Sequence, residues 1–175
     1  MSVSDPGSVR ARPSPSSCRI RVVQEDGRLA VRAVERIAKG QTVLRVVGLK
    51  AAHPTRHSLQ VGWHTHVSCP SDMPPHVAAS DYGWRFLNHS CAPNAYLRGL
   101  VLTALADIEE GAEITFDYNT TEWDIAHPFA CACGAPVCVG AVKGFRHLDT
   151  AQRARLRPYL PRYLKAKLPR TGLPA

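Results

Sequence analysis

Three groups of reactive side chains follow one another in the chain: Arg85-Phe-Leu-Asn-His-Ser-Cys91, Ile114-Thr-Phe-Asp-Tyr-Asn119 and Cys131-Ala-Cys133-Gly-Ala-Pro-Val-Cys138. The last group offers three thiolates in a short stretch. Structural zinc takes four nitrogen or sulfur ligands in a tetrahedron, so this cluster is one ligand short. His127 or His147 could complete it locally, and Cys91, Cys18 or Cys69 from a distance. A Gly/Pro loop with no core of its own has few other means of ordering itself, which favours metal over three free thiols. Cys18 and Cys69 have no partners at ligand spacing and read as ordinary thiols. A zinc completed by Cys91 would clip the C-terminal segment against the middle of the chain, with the active site between them. Taken singly, Tyr118 reads as a core tyrosine on a strand, and Asn88-His89 as loop chemistry.

Short strands and long loops must position these groups. Alternation and β-branched residues predict strands at Cys18–Val23, Leu29–Val34, Thr42–Val47, Ser58–Gly62, Tyr96–Leu105 (broken by Gly99) and Glu113–Tyr118. Gly27, Ile37-Ala-Lys-Gly40 and Glu109-Glu-Gly111 mark turns. Residues 48–57 and 64–80 read as loop, as do 88–94 and 119–146. Thr150 is the expected cap of a helix running to Arg157, ended by Pro158, and Pro161 the expected first residue of a second. Leu156, Leu160 and Leu164 recur at helical spacing, so this tail should pack one face on the domain. Residues 1–17, with Pro6, Pro13 and Pro15 among serines, read as disordered.

The chain has 175 residues, enough for one domain with one core, and a formal charge of +8. Its basic residues are spread along the chain with no run interleaved with aromatics, which makes direct nucleic-acid binding the weaker reading. The Ser-, Pro- and Arg-rich first residues have no apolar h-region and do not read as a secretory signal, and no apolar run approaches membrane-spanning length. A cytoplasmic monomer is the expectation, nuclear if the source is eukaryotic. That compartment argues against three disulfides among the six cysteines.

Taken together, the three groups resemble the SET domain of protein-lysine methyltransferases with its post-SET zinc loop. The likeness runs from about Arg19 to about His147. Arg85–Cys91 with Pro93-Asn94 matches the family's Asn-His-Ser-Cys segment, Gly111-Ala-Glu-Ile-Thr-Phe-Asp-Tyr118 its catalytic strand, and Cys131/Cys133/Cys138 the post-SET pattern. The resemblance implies a mainly β fold of the β-clip type, built of small curled sheets with a knot-like C-terminal threading and a short helical tail. It implies a SET domain over 18–125, a zinc loop over 126–147 and a helical tail over 148–175, as a minimal stand-alone member.

By the same resemblance, S-adenosyl-L-methionine is the cofactor, zinc is structural, and the partner is a lysine-containing protein or peptide. Cys91 becomes the fourth zinc ligand beside Cys131, Cys133 and Cys138. Tyr118 becomes the catalytic tyrosine. Phe116, two residues earlier on the same strand face, sits where Phe or Tyr tunes the number of methyl groups added, and Phe implies di- or trimethylation. Asn88 and His89 hold the cofactor, Arg85 meets its carboxylate, and Trp123 and Phe129 stack on adenine or wall the lysine channel. One stretch departs from the pattern. The family's Gly-x-Gly, which lets the backbone approach the cofactor, is here Arg28-Leu29-Ala30. His57 lies near a cofactor-contacting tyrosine of some members. A catalytically silent SET-fold interaction module, a methyltransferase of a small amine, and a basic zinc-containing nucleic-acid binder are the competing functions.

Overall fold

Residues 19–70 and 73–168 are described in a computed structural model, and among them no strand is longer than six residues. The first hairpin pairs β1 (Ile20–Glu25) with β2 (Arg28–Ala33) in antiparallel register. Asp26 and Gly27 turn it, with φ of 48° and 79°. Both values are left-handed, as a two-residue turn matched to strand twist requires. The other edge of β2 binds residues 111–114, where Ile114 donates to the Val31 carbonyl at 2.8 Å. This brings Glu113 alongside the hairpin.

A three-stranded sheet follows in the order β3 (Thr42–Arg45), β9 (Val101–Ala104), β8 (Ala95–Arg98). A second has the order β4 (Leu49–Ala51), β6 (Thr65–Ser68), β5 (Leu59–Gly62). Helix α1 spans Pro75–Asp81 and is followed by a 3-10 turn at Gly83–Phe86. The two remaining sheets are two residues deep. One is a parallel pair, β7 (Asn88–His89) on β10 (Thr115–Phe116). The other is an antiparallel pair, β11 (Phe129–Ala130) on β12 (Ala141–Val142).

Two hydrophobic cores support this frame. The larger joins the first hairpin and the β3–β9–β8 sheet through Val31, Ile37, Val43, Leu102, Ile108 and Ile114, each at most 1 % exposed. The smaller lies under the C-terminal tail, where Phe145, Leu148, Leu156, Leu160 and Leu164 are buried against Trp123 and Tyr163. The leucine spacing read from the sequence therefore does bury one face, across helix α2 (Thr150–Leu156), a 3-10 turn at Arg157–Tyr159 and helix α3 (Arg162–Lys165).

Several local expectations need correction. The cap of α2 is Asp149, not Thr150. Its carboxylate accepts from Gln152 N at 2.8 Å while the Gln152 side chain accepts from Asp149 N at 3.0 Å, a reciprocal box that a hydroxyl one residue later does not make. Pro161 caps α3 instead of opening it. The stretches 48–57 and 64–80, expected as loop, contain β4, β6 and α1. The prolines there start a helix, with Pro75 in its first turn. The Tyr96–Leu105 stretch is a hairpin turned at Gly99. The expected Glu113–Tyr118 strand stops at Phe116, because Asp117 accepts from Asn119 N at 3.0 Å and caps a 3-10 turn at Tyr118–Thr120. The strand start at Cys18 and the disordered 1–17 lie outside the described residues.

Residues 122–125 and 143–146 press together closely. Phe145 N donates to Glu122 O at 2.8 Å, and Ile125 N to Lys143 O at 3.0 Å. Between them Gly144 has a φ of +106°, and a Cβ there would lie 2.7 Å from the Trp123 carbonyl oxygen. Gly99 also has a positive φ but open space around it. Gly99→Ala should therefore cost only the left-handed conformation, about 1–2 kcal/mol. Gly144→Ala adds backbone collision and should cost about 2–5 kcal/mol. Urea unfolding of both variants checks the difference.

Candidate active site and cysteine cluster

The parallel pairing of β7 with β10 sets the middle segment, residues 88–91, beside the strand that ends in Phe116. Asn94 fastens the other side: its side chain donates to Glu113 O at 2.8 Å and accepts from Thr115 N at 3.0 Å. The backbone then turns at Asp117 and presents Tyr118 to a cleft of about 970 Å³. Phe116, Tyr118, Asn88, His89, Arg85 and Phe129 all line this cleft. The Phe116 and Tyr118 rings lie 4.8 Å apart, although the strand that was expected to put them on one face has already ended. The Tyr118 hydroxyl donates to the Leu87 carbonyl at 2.6 Å. Burial raises its pKa well above the ordinary phenol range, so it stays a neutral donor.

His89 stands between the cleft and the cysteines. Its Nδ1 accepts from Tyr118 N at 3.2 Å, and its Nε2 lies 3.2 Å from Cys91 Sγ. Burial lowers its pKa to about 4, so the ring is neutral. With Nδ1 accepting, the hydrogen-bond network assigns the proton to Nε2, facing the sulfur. The ring also meets Tyr118 and Phe129 edge-on, with centroids 5.3 and 6.1 Å away.

The Arg28-Leu29-Ala30 stretch behaves unlike a Gly-x-Gly. Arg28 forks onto Glu113 at 2.9 and 2.8 Å, and Asn88 donates to the same carboxylate at 2.7 Å and to the Leu29 carbonyl at 2.9 Å. The Arg28 fork holds the Glu113 carboxyl below its usual range. Arg28 and Glu113 line the cleft, whereas Leu29 and Ala30 do not; Ala30 is fully buried and Leu29 is largely turned to solvent. The Arg28 side chain is 55 % exposed, so this ion pair holds by about 0–1 kcal/mol and swings aside at little cost. His57 lines the cleft as well. Trp123 packs on Trp63 and Phe145 in the smaller core, where Phe129 is the loop aromatic left facing the cleft.

The sequence reading overlooked Glu122 and Gln60. Glu122 lines the cleft four residues after Tyr118, and its Oε1 accepts from Gln60 N at 2.7 Å. Burial raises its pKa to about 7. The Asp-Tyr-x-x-x-Glu spacing was visible, but nothing in the sequence indicates that a strand from residues 59–62 folds over that carboxylate.

The cysteines converge. The Sγ atoms of Cys91, Cys131, Cys133 and Cys138 all lie within 4.8 Å of one another, and Cys91 to Cys131 is 3.9 Å. Tetrahedral zinc–thiolate bonds of about 2.3 Å place sulfurs about 3.8 Å apart, so the residues present fit the ion. Val139 N and Gly140 N lie 3.5 and 3.4 Å from Cys91 and Cys138 Sγ as donors, as suits thiolates. Cys91 is 1 % exposed, and burial pushes its thiol far above the usual range; a cation supplies the charge that a buried thiolate lacks. His147 is engaged with Asp124 at 2.9 Å and His127 is on the cleft rim. Cys69 is outside the cluster, and Cys18 outside the described residues.

The SET domain family model matches residues 31–119. Methyltransferase flvH of Aspergillus flavus is 27 % identical over 125 residues, covering 68 % of this chain and 64 % of that protein. The histone-lysine N-methyltransferase, H3 lysine-36 specific, of Yarrowia lipolytica is 38 % identical over 77 residues, covering 39 % of this chain but 10 % of its own length. The crystal structure of KRYPTONITE with mCHH DNA, an H3(1-15) peptide and SAH superposes with a TM-score of 0.53 at 25 % identity, covering 70 % of this chain and 29 % of that one. The chain thus spans only part of these relatives.

Metal analysis of the purified protein should give about one zinc per chain. Cys91→Ser should release it and loosen the loop that carries Phe129. Zinc content unchanged in that variant would give the fourth position to another residue.

Proposed function

The chain belongs to the SET-domain family, and on that premise we propose that it is a methyltransferase that uses S-adenosylmethionine to methylate lysine side chains of a protein. The observation that carries this is the cleft in which Tyr118, Phe116, Asn88 and His89 meet at the end of the β7–β10 pair. The donor supplies an activated methyl group on a sulfonium. What the protein must supply is a neutral, aligned amine. A lysine with a pKa of about 10.4 costs about 4 kcal/mol to deprotonate near pH 7.4. Aromatic walls disfavour its charged form, and alignment of the two reactants supplies much of the rest.

In this reading the Tyr118 hydroxyl, held by the Leu87 carbonyl, marks the point where amine and methyl meet. Phe116 closes the wall beside it without a hydroxyl to hold a crowding water. Asn88, His89, Arg85 and Phe129 grip the cofactor, with backbone from Arg28-Leu29-Ala30 along its edge. The cysteines hold zinc away from the chemistry, yet Cys91 and His89 belong to one segment, so metal loss weakens the cofactor site. A histone is among the substrates to try, since the Yarrowia lipolytica relative is named as specific for H3 lysine-36 and the KRYPTONITE structure holds an H3(1-15) peptide.

The Arg28–Glu113 fork favours a second reading, a catalytically silent interaction module, because it puts a side chain where the family has glycine. Titration calorimetry with S-adenosylmethionine decides between them. Micromolar binding supports the enzyme, and none supports the silent module. Incubation of labelled cofactor with core histones and with a whole-cell protein extract should then give transfer that Tyr118→Phe abolishes. Phe116→Tyr should shift the products, read by mass spectrometry, from di- and trimethyl-lysine towards monomethyl-lysine.

A further inference from the structure

Glu122 is a carboxylate that the mechanism just described leaves unused. It lines the same cleft as Tyr118, and its backbone N donates to Tyr118 O at 2.9 Å. Its Oε1 accepts from Gln60 N at 2.7 Å, with the Thr121 hydroxyl at 3.5 Å. Among the described residues Oε2 accepts no hydrogen bond. Gln60 is itself fixed, since its side chain accepts from Trp123 N at 2.8 Å and the Tyr163 hydroxyl lies 2.9 Å from its carbonyl. Such bracing holds one carboxylate oxygen in place and leaves the other for a ligand.

We propose that Glu122 is the proton acceptor for the substrate amine in this cleft; the inference rests on the lysine methyltransferase reading above. The carboxylate takes one proton from the substrate ammonium, leaving a carboxylic acid and a neutral amine. The amine lone pair forms the new N–C bond as the methyl–sulfur bond breaks, and that electron pair stays on sulfur. The product carries the positive charge, and Glu122 gives its proton to solvent through the open cleft.

The other titratable groups around the cleft do not suit this task. Tyr118 and Tyr163, the phenols facing Glu122, are both held neutral by burial well above the ordinary range. His89 already carries its proton towards Cys91. Glu113 is held ionised by Arg28, and burial lowers the pKa of His57. Arg56 and Arg85 are cations, and His127 is exposed on the rim. Glu122, at about 7, is matched to a base that works near neutrality.

The pH dependence of methyl transfer, with core histones or the extract as acceptor at subsaturating concentration, tests this. With Glu122 as acceptor, the wild-type rate should rise to a break near pH 7 and then level off until lysine itself deprotonates, near about 10. Glu122→Gln should lose the break and climb about tenfold per pH unit, because only amine already neutral reacts. Its deficit should be about 10²–10³-fold at pH 7.5 and close towards pH 10. Glu122→Asp should keep the break at a lower rate. Cofactor binding and thermal midpoints of the variants separate this from a folding defect. A break that persists in Glu122→Gln overturns the inference. So does a wild type that climbs tenfold per unit with no break, a result that needs no variant. No transfer by the wild type to either acceptor overturns the methyltransferase reading and this inference with it.

Discussion

Cys91 is a sulfur with almost no solvent, a neutral imidazole N–H on one side and a backbone N–H on the other. A thiolate in that setting needs a cation, and three further sulfurs are gathered around it. The rest of the site depends on this arrangement. The segment that carries Cys91 is only two strand residues long where it pairs with Thr115–Phe116, too short to hold itself by backbone bonds. Its other end is fixed by the cysteine loop and by Arg155 of α2, which donates to the Cys91 carbonyl at 2.7 Å. Asn88 and His89 are placed in the cleft because both ends are tied.

A second brace works from behind. Tyr163 in α3 reaches the carbonyls of Gln60 and Thr121 at 2.9 and 2.8 Å. The helical tail therefore touches the strand and the turn that together frame Glu122. Packing of Leu156, Leu160 and Leu164 into the smaller core in this sense helps to build the candidate site, because it sets the depth at which Tyr163 arrives.

Sequence patterns revealed what local chemistry dictates. Gly27 announces the turn between β1 and β2, and Leu156/Leu160/Leu164 announces a buried helical face. The three motifs, in order, pointed to the fold family and to the cysteines that converge. Periodicity has no purchase on β7, β11 and β12, each two residues long, since such strands exist only through their partners. The helix at 75–81 was hidden because prolines that commonly break helices here open one. Tyr118 was expected to continue a strand, yet a side-chain cap from Asp117 turns it into the cleft. Glu122 was overlooked because the groups that bury it come from remote parts of the chain.

The Glu122 carboxyl also bears on how stable the protein is. Its folded pKa, about 7, lies above the unfolded value of about 4.3. Between these two values the folded state keeps a proton that the unfolded chain has released. Stability from this group is therefore greatest below about pH 4 and declines as pH rises through 7, by a sum on the order of 3 kcal/mol. This is opposite in sign to Glu113, whose ion pair with Arg28 is present at neutral pH and lost in acid. Near neutrality the fold thus tolerates a carboxylate that would be better solvated if the chain were unfolded. A more acidic compartment would relieve that tension at Glu122 while removing its charge from the cleft and leaving that of Glu113, so what relaxes the fold around this carboxyl also disarms it.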